Sequence, residues 1–474
     1  MHCLNYLRHG FYPMKNMKRF SVLLLTFLSL IGAPDYAFAQ NVNIHAKFNQ
    51  LPNGNMKVIF EYMNGQEWKQ IDNKALDKEG QVDFQFAPPV YGQYRFRFPS
   101  GKNSVIWSDF IISQYKDEPK SMNFIIAYPE MIGRPLTVDK SQENLLYGEL
   151  MNAYLDFDAL RTAIPVDQKK LEMATANLNQ ISRRMAQQNR GTFTGDIVAD
   201  LVYQPVRSDY PKEKHESLND SLFYIKFGIS KLPYYKPGSL HHNLFVRSLE
   251  RYFKHMQQKD SDDYAIDFID GVMFRSGGLE EVDQFLFKYL LDKMLGYKSE
   301  KGLSHLLSHY SQDCSEDHSS KSANDQLVNA LNEVAPGKKV WPLKLPDINA
   351  TPVSLLDVCK KNKMTLMLFW KSSCNHCEEF KPVLKALYDQ YHSQGLEVYA
   401  VSIDKDINEW KTYVNAHPQP WKDTFLAYDV RKEFNNHYPV PSTPTLIALD
   451  QNGKVISRLI VRSKMEEFLK EYFK

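Results

Sequence analysis

The spacing of apolar residues changes twice along this chain. From Asn41 to about Ala127 it has period two: Val82, Phe84 and Phe86 alternate in QVDFQF, and Tyr94, Phe96 and Phe98 alternate in QYRFRF. Turn signals separate the runs, among them Pro52-Asn53-Gly54, Asn64-Gly65, Gly80, Pro88-Pro89 and Ser100-Gly101. Short alternating strands with regular punctuation predict a small antiparallel β-sandwich over residues 40–130. From about Ser141 the period becomes helical. Phe245, Leu249, Tyr252, Phe253 and Met256 form one stripe, and Val282, Phe285, Leu286, Tyr289 and Leu290 form another. Such stripes, separated by Gly- and polar-rich breaks, predict an all-α domain over 141–333. The remainder, 334–474, alternates strand and helix. MTLMLFW is a continuous apolar run of the kind buried on both faces. A helix from about Cys374 to His392 follows, with Val383, Leu384, Leu387 and Tyr388 on its apolar side. LEVYAVSID reads as a strand and DINEWKTYVNAH as a helix. TLIALD and KVISRLI flank Gln451-Asn452-Gly453, a hairpin signal, and SKMEEFLKEYF closes the chain as a helix. The expected order in this part is βαβα, a β-hairpin, then α.

A chain of 474 residues divides into several domains. Its charge is balanced, with Lys+Arg 58 against Asp+Glu 56, which gives no footprint for nucleic acid. The front end alters the picture further. Lys15, Lys18 and Arg19 precede the apolar run Val22 to Ala33, and Ala37-Phe38-Ala39 follows, the order of a secretory signal peptide over residues 1–39. That leader reads best from Met14 or Met17, which leaves residues 1–13, with Cys3, as a misassigned start. The run is too short for a comfortable membrane span, and the rest of the sequence has no longer one. Cleavage would leave a near-neutral exported chain, periplasmic or otherwise outside the cytoplasm. It would keep Cys314, Cys359, Cys374 and Cys377, too few for a disulfide-stapled scaffold.

Candidate chemistry concentrates in FWKSSCNHCEEFKP, residues 369–382. Cys374 falls at the strand-to-helix junction, where unpaired N–H groups and the helix dipole stabilise a thiolate. Cys377 lies about one turn further on, more buried, and near enough to close a small disulfide ring. In this reading Cys374 attacks or is attacked, and Cys377 resolves the mixed disulfide. His376 lies between them; an imidazole that is protonated, or that donates to the Cys374 thiolate, would make the couple more oxidising.

These features have context. Phe369 and Trp370 before the C-x-x-C, Pro382 five residues after the second Cys, Ser442-Thr443-Pro444-Thr445, and Leu449-Asp450 with Asn452-Gly453 all fall in one family's order. Over about Val334 to Lys474 the chain resembles the TlpA/ResA-type exported thiol-disulfide oxidoreductases of the thioredoxin fold. That resemblance implies that Pro444 is the cis-proline lying against the dithiol, that Thr443 offers its backbone to a bound substrate strand, and that Trp370 packs beside the site as a further substrate-binding residue. It implies a protein thiol or disulfide as substrate, an upstream redox partner, no cofactor, and a reductase direction. The sequence departs from the pattern twice. Leu368 stands where thioredoxin has its buried acid, and Phe380 where the TlpA/ResA group has a Glu. Glu378 and Glu379 lie on other helix faces, so the group that deprotonates Cys377 stays open. The front two parts resemble, diffusely, the β-rich and helical regions that precede such domains in other exported proteins.

Rival readings use the same residues. Zinc would need two ligands beyond the C-x-x-C, from Cys314, Cys359, His305, His309 or His318. A peroxidase would need a Pro and a Thr ahead of Cys374, where the sequence has FWKSS. The alternating aromatics of the front domain suggest a carbohydrate platform, although alternating aromatics usually face a core. A binding protein for an envelope client or glycan, with an accessory dithiol, is the alternative function. Cys359 is expected on a short helix before the central strand as a buried free thiol.

Overall fold

The computed structural model describes the chain except residues 1–40, 50–55, 101–103, 116, 128–132, 137, 139, 202–234, 236, 258–261, 312–322 and 461. The leader, Cys314 and His318 therefore lie outside the described residues.

Among the described residues seven strands open the fold: β1 (Val42–Asn49), β2 (Lys57–Asn64), β3 (Glu67–Ala75), β4 (Gln81–Phe86), β5 (Gly92–Ser100), β6 (Ser104–Ile112) and β7 (Ser121–Ala127). They make two sheets, ordered β4-β1-β7 and β3-β2-β5-β6. The expectation of an antiparallel arrangement needs correction, because β1 runs antiparallel to β4 but parallel to β7. Parallel neighbours need a long connection, and here the whole second sheet lies between β1 and β7 in sequence. The alternating aromatics form no platform. Phe84, Tyr94, Phe96 and Phe98 are all buried, and with Phe60, Phe110 and Phe124 they form one core drawing on both sheets.

Among the described residues eight helices follow: α1 (Gln142–Thr162), α2 (Gln168–Gln188), α3 (Phe193–Leu201), α4 (Asn243–Gln257), α5 (Asp262–Met273), α6 (Glu280–Tyr297), α7 (Glu300–Tyr310) and α8 (Ala323–Glu333). Both apolar stripes point inward, with only Phe285 partly exposed. Helix α1 docks on the edge of β6 through Asn144. Its side chain accepts from the Ile111 N–H and donates to the Ile111 carbonyl, each at 2.8 Å. Buried Glu143 accepts from the N–H groups of Phe193 and Thr194, capping α3. No described helix is long and apolar enough to cross a membrane.

The last part comprises β8 (Lys344–Pro346), β9 (Pro352–Ser354), α9 (Leu355–Lys361), β10 (Met364–Trp370), α10 (Asn375–Tyr391), β11 (Leu396–Ser402), α11 (Ile407–Ala416), β12 (Lys422–Phe425), α12 (Arg431–His437), β13 (Thr445–Asp450), β14 (Val455–Ser457) and α13 (Met465–Tyr472). The expected order lacked β8, β9, β12 and α12. The main sheet runs β12-β11-β10-β13-β14, with β10 parallel to β11 and antiparallel to β13. Every residue of β10 is buried, as a sequence apolar at every position but Thr365 requires. Two cores flank it, because alternate residues point to opposite faces. Leu366, Leu368 and Trp370 join α10 and α13 on one side; Met367 and Phe369 join α9 and α12 on the other. This is an α/β thioredoxin-like domain, set behind a helical region and a β-rich front.

Candidate active site

Strand β10 delivers the chain to the site, and a turn at Ser372-Ser373 swings it into α10. Cys374 takes the N-cap position, with extended backbone at φ −98° and ψ 107°. Ser, Thr, Asp or Asn usually stand there, accepting from an N–H of the first turn. Here the acceptor is sulfur: Cys374 Sγ accepts from the Cys377 N–H at 3.3 Å. A helix start that needs an acceptor therefore supplies the donors and dipole that favour a thiolate.

The other wall comes from register. Phe369 pairs with Thr445 across β10 and β13, so the residues before Thr445 lie beside those after Trp370. The Thr443–Pro444 peptide is cis, and the Cys374 thiol donates to the Thr443 carbonyl at 3.4 Å. Thr443 and Pro444 are half-buried beside Cys374.

The two thiols differ strongly. Cys374 is partly exposed; Cys377 is 1% exposed. Burial pushes the Cys374 thiol up. Hydrogen bonds from Cys377, from Thr443 and from the N–H groups of Cys377 and His376 outweigh it, leaving the pKa below the ordinary thiol value. For Cys377 burial dominates and the Cys374 sulfur adds to it, so its pKa is pushed up to about 12. The lowered value favours a thiolate at Cys374, and the raised one keeps Cys377 a thiol. Both are free thiols here, as is buried Cys359 on α9, whose pKa burial also raises.

The remaining sequence-derived residues fall out unevenly. The His376 side chain is 84% exposed, with Nδ1 3.8 Å from the Glu379 carboxylate, and it is the backbone N–H of His376 that supports Cys374. Trp370 was expected at the substrate surface. It is instead wholly buried, because the alternation of β10 turns it into the core with Cys377 and Phe380, and it supports the site from beneath. Leu368 and Phe380 pack in that same core. Of the zinc candidates, His305 donates from Nε2 to the Asp270 carboxylate at 2.6 Å and stacks on His309. Among the described residues no cluster of three or more His, Cys, Asp or Glu could hold a metal.

Three residues escaped the sequence reading. Asp404, in the loop after β11, accepts from the Ser372 N–H at 3.0 Å to each oxygen, and from the Ser372 and Ser402 hydroxyls at 2.8 Å. It ties down the turn that presents Cys374. Asp404→Ala strips a buried acceptor from all these donors, so the urea midpoint should fall by an amount worth about 2–3 kcal/mol; an unchanged midpoint would show that water replaces the carboxylate. Lys381 and Asp423 lie under Trp370, both buried. Lys381 follows Cys377 by one helical turn, and Asp423 belongs to β12, too short and mixed a strand to show in the apolar pattern.

A low-pKa N-cap cysteine, a buried partner one turn on and a cis-proline loop against the first, on this sheet, define a thiol-disulfide oxidoreductase of the thioredoxin fold. A family model described as thioredoxin-like matches residues 362–455. The thiol-disulfide oxidoreductase ResA of Bacillus thuringiensis strain Al Hakam is 27% identical over 138 residues, 28% of this chain and 77% of that protein. The ResA of Geobacillus kaustophilus is 30% identical over 123 residues, 26% of this chain and 67% of that protein. Among solved structures, the thioredoxin domain of a Bacteroides vulgatus thiol-disulfide oxidoreductase is 24% identical, covering 30% of this chain and 99% of its own, with a TM-score of 0.28. A thioredoxin-like protein from Bacteroides caccae covers 57% of this chain and 98% of its own at 15% identity, with a TM-score of 0.42. The chain belongs to the TlpA/ResA-type thioredoxin-fold thiol-disulfide oxidoreductases.

Proposed function

We propose that this protein is an exported, periplasmic reductase of protein disulfides, re-reduced by an upstream redox partner. One observation carries the exchange reading: Cys374 combines partial exposure, a lowered pKa and contact with the Thr443 carbonyl, while Cys377 waits buried behind it. A substrate strand would lie along Thr443 and Pro444, reaching Cys374 from the open side. The leader-like residues 1–39 support export. The two front sheets, sharing one core, support a β-sandwich that with the helices forms the scaffold of the catalytic domain.

The direction is tested by redox titration against glutathione and dithiothreitol, with alkylation and mass spectrometry to identify the responding cysteines. A Cys374–Cys377 couple at about −270 mV or below supports the reductase; one near about −120 mV overturns that direction. The imidazole of His376 adds to the tuning given by its N–H. His376→Ala should therefore make the couple more reducing in the same titration, whereas an unchanged potential leaves the effect to the backbone alone.

A further inference from the structure

The sequence leaves Cys377 without the family's acid, and the structure places something else beneath it. Lys381 stands four residues after Cys377 on α10, only 4% exposed. Its Nζ lies 3.3 Å from the centroid of Trp370 and 4.1 Å from that of Tyr413. It has no hydrogen-bond acceptor, and Glu378 Oε1 is 3.9 Å away. Asp423 on β12 is 8% exposed, and its Oδ1 has no donor. Two buried ionisable groups with unfilled hydrogen-bonding capacity are costly to keep for structure alone.

Lys381 senses the dithiol directly, and Asp423 reaches it through Lys381. Burial lowers the Lys381 pKa; against it act the negative charges of Asp423, Glu378, Cys377 and Asp404. Burial likewise pushes the Asp423 carboxyl up to about 7, opposed by Lys381 and by the Trp370 indole. Tyr413 of α11, the other titratable neighbour, is raised by burial and by its bond to Glu378. Leu368 and Phe380 contribute only hydrocarbon to the same core.

We propose that Lys381 and Asp423 are positioning residues for the resolving step, a buried charge pair that lowers the cost of deprotonating Cys377. The inference rests on the exchange reading above. In that step Cys377 loses its proton, which the Asp423 carboxylate takes up, while the Lys381 ammonium balances the thiolate left behind. That thiolate attacks Cys374 Sγ. The Cys377–Cys374 bond forms, the bond from Cys374 to the partner sulfur breaks, and the electron pair leaves on the partner thiolate.

Stopped-flow reaction of the reduced full chain with one equivalent of Ellman's reagent separates the two steps, with Cys3→Ser, Cys314→Ser and Cys359→Ser as the parent background. The first thionitrobenzoate is released by Cys374 and the second by Cys377. In Lys381→Met the first phase should stay within about twofold of the parent. The second should slow about tenfold at pH 7, its pH profile displaced upward by about one unit. Asp423→Asn should remove the inflection near neutrality from the second phase. Lys381→Arg should keep the second phase, and in the double variant Lys381→Met with Asp423→Asn thermal stability should recover without the rate. A second phase in Lys381→Met with the parent's rate and pH profile overturns the proposal. So does a double variant that recovers rate and stability together, since the pair is then structural, and that comparison stands even if the single variant folds poorly. A parent with no first phase overturns the exchange reading instead.

Discussion

Cys374→Ser should abolish disulfide exchange, while Cys377→Ser should arrest it halfway. Cys374 is the thiol that an external sulfur can reach, and Cys377 is closed off by Trp370, Phe380 and Leu384. With Cys374→Ser no thiolate is presented at the helix start, and turnover should fall to background. With Cys377→Ser the first attack proceeds and nothing resolves it, so mixed disulfides accumulate through Cys374 and appear on non-reducing gels. Equal residual turnover in the two variants would sink the division of roles. The same asymmetry fixes a pH dependence. The folded Cys374 pKa is lowered, so its alkylation by iodoacetamide should persist below the pH at which an ordinary thiol stops reacting. The sign for stability follows. The thiolate's interactions stabilise the reduced protein above the pKa of the unfolded thiol, and that contribution is lost as pH falls through the folded one.

What the sequence discloses depends on how much each feature relies on neighbours in the chain. The central strand, the helix behind it and the Gln451-Asn452-Gly453 turn are local patterns. Six apolar residues and one threonine in a row of seven have few other places to go, and Gly453 takes the positive φ, 73°, that the turn requires. The two cysteines were legible because both lie on one helical turn. Strand β12 was not, since four residues of mixed character carry no period, and Asp423 went with it. Lys381 was hidden for another reason. A lysine in a helix is ordinarily solvated, and only packing shows that this one points inward beneath an indole. Trp370 was misplaced because the pattern gives a strand's alternation but not which of two buried faces meets the substrate. The parallel pairing of β1 with β7 joins residues about eighty positions apart, beyond anything short-range alternation encodes.

Arg458→Met should loosen the catalytic domain from the helices while leaving the dithiol chemistry intact. Arg458 follows β14 and is 3% exposed, yet its bonds all lead out of its own domain. Its Nε donates to Glu300 Oε1 at 3.0 Å, Nη2 donates to the Ser304 hydroxyl at 3.2 Å, and Nη1 donates to the Leu331 carbonyl. Three chain segments, α7, α8 and β14, thus meet on one guanidinium, whose planar fork can serve several acceptors at once. Burial lowers its pKa and the Glu300 carboxylate raises it, so the pair persists because each partner compensates the other. Removing the guanidinium leaves the Leu331 carbonyl without this donor and the partly exposed Glu300 carboxylate with the Ser304 hydroxyl in place of a cation, a loss of about 3 kcal/mol, the low end for a buried pair. Denaturant unfolding followed by circular dichroism should move to lower concentration by that amount, and limited proteolysis should cut between α8 and β8. Adding Glu300→Gln should recover part of the loss, because the stranded charge is then gone. Release of the first thionitrobenzoate from Ellman's reagent should be unchanged, since Arg458 makes no hydrogen bond to either cysteine. A variant with parental stability would mean that the interface is held by the packing of Val334 and its neighbours and not by the guanidinium. A variant that loses the Cys374 reaction as well would mean that the helices hold the dithiol in place.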